Sequence, residues 1–175
     1  MVIAIIATLA ALLLPTLGRA KESGRATACL SNLHQIGIAL QIYVGDYRNR
    51  LPYMSNIYPG TTNQFPGPDQ VLSNDLGNLN VLRCPSDKWT NSLIPFPQKP
   101  ATYFEQTGSS YWWNLLLNGE DAEHLSALGL NFDPHQVPLM LDWETFHIAR
   151  GENKAKNYLY ADGHIKNLLV IDGTR

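Results

Sequence analysis

Six side chains in the last third of the chain are of the types that metal and acid–base chemistry use: Asp142, Glu144, His147, Glu152, Asp162 and His164. Carboxylates hold calcium when several oxygens converge with backbone carbonyls in one loop. Asp142 and Asp162 are the calcium candidates, yet the dense D-x-D-x-D-G run of a dedicated calcium loop is absent. Zinc would take His147, His164 and a carboxylate, but their spacing matches no zinc signature. The expectation is therefore no metal and no cofactor, with Asp162 as a turn residue and His164 as an ordinary strand residue. Nucleophilic catalysis finds no better footing. There is no G-x-S-x-G and no H-E-x-x-H, and His34, His124, His135, His147 and His164 are scattered. No catalytic residue is assigned, and a protein that is not an enzyme is expected. Trp112, Trp113 and Trp143 could stack a sugar or line a partner groove. Their size favours core packing instead.

Cys29 and Cys84 are the two cysteines of the chain, with no C-x-x-C spacing to suggest zinc. Outside the cytoplasm they could form a single disulfide closing a long loop, worth about 4 kcal/mol on the chain-entropy model. In a reducing compartment they would be two buried thiols. The net charge is -2, and no basic stripe with interleaved aromatics is present. Nucleic acid is not an expected partner.

The elements that must position these residues begin with an apolar run, MVIAIIATLAALLLPTL, over residues 1–17. As a helix it would be about 26 Å long, just short of a bilayer core. It lacks the basic start of a signal peptide, and all its faces are apolar, which suits lipid or the centre of a bundle. Pro15 would kink it. Beyond that, Ala26, Cys29, Leu30, Leu33, Ile36, Gly37, Leu40, Tyr43, Val44 and Tyr47 recur at three- and four-residue steps. Glu22, Ser31, Gln35 and Gln41 are assigned to the opposite, solvent face. Leu51-Pro52 should end the helix. A membrane half over 1–17 thus runs into an amphipathic half over 18–50, in one helix of roughly 70 Å. A globular domain over 51–175 follows.

Residues 52–100 hold eight of the eleven prolines, so YPGTTNQFPGPDQ and IPFPQKP read as loops. Asn80–Cys84 is a short strand candidate, Tyr111–Leu117 is strand or helix, Glu120–Leu128 is a short helix, and Val137–Trp143 is a buried strand. Asp162-Gly163 fits the two-residue turn of a hairpin whose arms are Asn157–Ala161 and His164–Val170. The fold class that follows is α+β, a long helix laid on a small antiparallel sheet.

VIAIIATLAALLLPTLGRAKESGRATACLSNLHQIGIAL resembles the start of type IV prepilins and type II secretion pseudopilins. More narrowly, it is similar to the prepilin-like proteins of planctomycetes that carry an H-X9-DG motif. The likeness includes the run ending in Leu-Leu-Pro and a Cys-x-x-Asn-Leu-x-Gln segment, here Cys29, Asn32, Leu33 and Gln35. It returns at Val81–Asp87, at Ser110–Asn114 and at Asn157–His164, where Asn157, Asp162, Gly163 and His164 match the closing motif. In two places the chain departs from the pattern. Glu152 stands ten residues before Asp162, where the motif has histidine. The basic leader and the Gly-Phe-Thr-Leu-Ile-Glu segment are absent before Val2, so the chain reads as N-terminally truncated against that pattern. The resemblance implies a pilin-like fold and a subunit held in the inner membrane by a single pass, with its domain in the periplasm. The implied partners are other pilin-like subunits, the secretion or pilus assembly machinery and, given a leader upstream, prepilin peptidase. The other reading is a membrane-tethered module outside the cytoplasm that binds glycan or an exported protein without polymerising.

Overall fold

The computed structural model describes residues 2–56, 65–90, 101–127 and 129–167. Its largest element is a helix, α1, spanning Val2–Asp46. Pro15 lies inside α1, which continues through it as one element, and the neighbouring Thr16 hydroxyl donates back to the Leu13 carbonyl at 2.8 Å. The expected stop at Leu51-Pro52 comes earlier. Arg48 and Asn49 take positive φ angles of 55° and 61°, which a continuing helix cannot use. The Asn49 amide closes the end by donating to the Val44 carbonyl at 2.9 Å.

Two further short helices are α2, Pro68–Val71, and α3, Tyr103–Thr107. α2 starts on its proline, where the missing amide costs nothing. The strands are β1 (Tyr111–Trp113), β2 (Ser126–Ala127), β3 (Leu130–Asn131), β4 (Pro138–Asp142), β5 (Tyr158–Tyr160) and β6 (Ile165–Lys166). Four of them form one sheet in the order β1-β4-β5-β6, and β2 pairs with β3 separately. All these pairings are antiparallel. The protein is thus α+β, one long helix on a small antiparallel sheet.

The stripe on α1 explains why the sheet has something to rest on. Ala26, Cys29, Leu33, Ile36 and Leu40 are buried, joined by Ala39. All but Ala26 pack with Met54, Leu72, Leu82, Trp113, Met140 and Leu159 in one core. Gly37 lets the sheet come close: a Cβ there would lie 3.1 Å from a Leu159 methyl. Tyr47 departs from the stripe and is exposed, stacked on Tyr43.

Among the smaller elements, β4 is the buried strand expected over Val137–Trp143. Tyr111–Leu117 is strand first and 3-10 turn afterwards, at Leu115–Leu117. Asn80–Cys84 is not a strand. A 3-10 turn covers Leu79–Leu82, started by the Asn78 side chain accepting from the Asn80 amide. Of the helix expected over Glu120–Leu128, the described residues 120–127 are not helical, and residue 128 lies outside the described residues. The Asp121 carboxylate accepts from the amides of Glu123 and His124, and Ser126–Ala127 is already strand. The hairpin of β5 and β6 forms around Asp162-Gly163, but only Gly163 has positive φ, at +87°. The Gly163 amide donates to the Tyr160 carbonyl and the Tyr160 amide to the His164 carbonyl, so the loop is longer than the two-residue turn expected. Leu159 faces the core, opposite Tyr158 and Tyr160. The IPFPQKP segment, residues 58–64 of the earlier loop and residues 168–170 of the second hairpin arm lie outside the described residues.

Candidate functional site

α1 meets two different surroundings, and the boundary is Glu22. Before it, every described side chain from Ile3 to Lys21 is exposed. Ile3, Ile6, Leu13, Leu14 and Leu17 are each more than 60% exposed. Among the described residues, no helix holds a stretch long and apolar enough to cross a membrane.

From Glu22 onward the helix is fastened to the domain. Cys29 and Cys84 form a disulfide, with Cα atoms 5.2 Å apart. One turn on, the Asn32 side-chain amide donates to the Arg83 carbonyl at 2.9 Å. Leu33 beside it is fully buried, whereas Gln35 and His34 face solvent. The Cys-x-x-Asn-Leu segment is therefore a clamp on the loop around Cys84. That loop is itself braced by Asp87, whose carboxylate accepts from the amides of Tyr103 and Phe104 and from the Ser110 hydroxyl. Ser110 in turn accepts from the Cys84 amide.

Glu22 does not lie on the solvent face to which it was assigned. It stands four residues before Ala26, on the same stripe, and its side chain is only 17% exposed. The Ser86 hydroxyl donates to Glu22 Oε1 at 2.6 Å, and His147 Nδ1 donates to the same oxygen at 2.8 Å. Arg25 is 3.7 Å from Oε2. Burial raises the Glu22 carboxyl, but these hydrogen bonds and the nearby positive charge outweigh it and hold the group below the usual carboxylate range. His147 is fully buried, and burial pushes its imidazole down despite Glu22. The ring is thus a neutral donor to an ionised Glu22. Its other nitrogen, Nε2, lies 3.6 Å from Cys84 Sγ and 3.7 Å from Asp142 Oδ2.

The six polar residues do not form one centre. Asp142, His147 and Asn157 sit at the buried end of the sheet. Asp142 Oδ2 accepts from the Asn157 amide and side chain at 2.8 and 2.9 Å. Burial pushes the Asp142 carboxyl up to about 7, against those hydrogen bonds. Asp142 Oδ1 has no hydrogen-bond partner. The residue locks β4 to the chain before β5. Glu144 accepts from the Tyr103 hydroxyl at 3.1 Å. Glu152 is exposed on a 3-10 turn.

Asp162 and His164 stand apart from that group, at the tip of the β5–β6 hairpin. His135, which no motif singled out, joins them there. Asp162 pairs with both imidazoles through their Nδ1 atoms, His135 on Oδ2 and His164 on Oδ1. His147 and His164 therefore fall in different clusters and share no zinc site. Of the tryptophans, Trp113 is fully buried and donates to Asn118 at 2.7 Å, so it offers no face to a sugar. Trp112 and Trp143 are half-buried, Trp143 stacked on Tyr103.

A family model described as "Protein of unknown function (DUF1559)", the family of the planctomycete prepilin-like proteins, matches residues 18–126. No curated protein and no solved structure matches the chain. The matched span opens just before the clamp and carries both cysteines.

Proposed function

The chain belongs to the DUF1559 family, and on that premise we propose that it is a non-enzymatic, prepilin-like subunit of a type II secretion or type IV pilus-like assembly. The observation that carries the reading is the uncovered half of α1. An apolar helix surface presented to water is unfavourable by about 25 cal/mol per Å². Bundling with the same helix of neighbouring subunits would remove that cost, because the surface is apolar on several sides. Sister helices can cover one another without any single helix spanning a bilayer. Before assembly the same exposed side chains are proposed to hold the chain against the inner membrane without crossing it, with the domain in the periplasm. The Cys29–Cys84 disulfide supports that side, since disulfides persist in oxidising compartments.

The clamp supplies what such a subunit needs mechanically. Force applied to a bundled helix must reach the domain, and the disulfide, the Asn32 bond and the Glu22–His147 pair join the two where the free half begins. Purification of the full chain from membranes should recover pilin-like subunits or secretion components with it. Recovery as a freely soluble monomer, with no partner and no membrane association, would contradict the reading.

A further inference from the structure

We propose that His135, Asp162 and His164 form a binding site for a divalent transition-metal ion of the zinc type. The three come from separate parts of the chain, the turn before β4 and the tip of the β5–β6 hairpin. Their ligand atoms nevertheless lie within 4.8 Å of one another. Both imidazoles present Nδ1 to the same carboxylate, one to each oxygen. Two nitrogens and a carboxylate, with the fourth position left to water, is a donor set that zinc accepts. Calcium, which asks for six or more oxygens, is not served by it.

Two of the donors are held in place before any ion arrives. The His164 ring stacks on Tyr160 at 4.2 Å between centroids and 10° between planes. Its Nε2 is buried without a hydrogen-bond partner, so Nδ1 is the nitrogen that meets a ligand. Asp162 is fixed by accepting from the His164 amide at 3.2 Å. The backbone at His135 is held by its amide, which donates to Asp133 Oδ1 at 3.0 Å, and its exposed ring meets Asp162. Gly163 brings the tip against α1, where a Cβ would lie 3.0 Å from Gln41 Nε2. An ion here would tie the loop before β4 to the hairpin, next to the anchored half of the helix.

The bland reading is an ion pair between Asp162 and two histidines, and the experiment separates the two. The purified full chain is stripped with chelator, then titrated with zinc chloride in a calorimeter and with cobalt chloride in a spectrophotometer. The expected result is one zinc per chain, with cobalt giving a visible absorption band. In His135→Ala and Asp162→Asn the affinity should fall about tenfold or more and the cobalt band should vanish. His135 is 73% exposed, so its replacement leaves folding intact, and an unchanged melting temperature of the metal-free variant checks this. No uptake by the wild type would overturn the proposal. So would zinc that binds equally to both variants, or calcium that competes as well as zinc does.

Discussion

Both halves of α1 are rich in apolar residues, yet they meet opposite surroundings. In the second half most apolar side chains keep to one stripe that the sheet and the Cys84 loop cover, and Ile38 and Ile42 are left part-exposed, each at 46%. In the first half the sequence leaves no polar face to the run over residues 1–17, and nothing in the chain covers its described side chains. The difference lies in sequence pattern rather than in overall hydrophobicity. A helix with one apolar face is satisfied by a small domain, whereas a helix apolar on several sides needs other helices or lipid. Polar residues mark the change: Arg19, Lys21, Glu22 and Arg25 follow Leu17, the last exposed leucine of the helix. Of these, Glu22 is turned inward to start the clamp.

That contrast can be broken most severely at the disulfide. Cys29→Ala with Cys84→Ala should cost about 4 kcal/mol of unfolding free energy, because the bond closes a loop with a sequence separation of 55. Urea denaturation of oxidised and double-variant protein measures it. Next comes a matched pair on α1. Leu33→Ala removes a fully buried side chain and should cost about 3 kcal/mol. Leu14→Ala, on a residue 69% exposed, should change stability by less than about 0.5 kcal/mol while weakening association. Equal effects on stability would mean that the two halves are not distinct.

The smallest effect sharpens the buried end of the sheet. Asp142 has a carboxyl raised to about 7, above its unfolded value, so the folded state holds the extra proton between about pH 4 and 7. Its contribution to stability is therefore present at pH 4 and lost as pH rises through 7. Asp142→Asn should abolish that loss. The difference between wild type and variant, followed by thermal melting from pH 4 to pH 8, should fall with pH and then level off.

Much of this was legible in the residues. The recurrence from Ala26 to Val44 is enough to place the anchored half of α1, and the apolar run at Val137–Trp143 is enough to place β4. Asp162-Gly163 locates a turn, but not its type: Gly163 takes the positive φ, and Asp162 does not. Asn80–Cys84 and Glu120–Leu128 misled because single side chains, Asn78 and Asp121, redirect the backbone into turns that apolar patterning does not report. Glu22 was recoverable from its four-residue step to Ala26. Its partner was not: His147 lies 125 residues away, and only the sheet and the Cys84 loop bring it to the helix. His135 is equally remote from any motif, and its meeting with Asp162 follows from where β4 begins.

The most direct test of the central claim compares cross-linking from two positions on the same helix. A photo-reactive amino acid replaces Leu14 in one preparation and Gln35 in another, and the full chain is irradiated in the membranes that produce it. The account predicts adducts between α1 helices of pilin-like subunits from position 14, and at least tenfold fewer from position 35. Equal yields from the two positions, or adducts to lipid alone from position 14 with no protein partner, would contradict it.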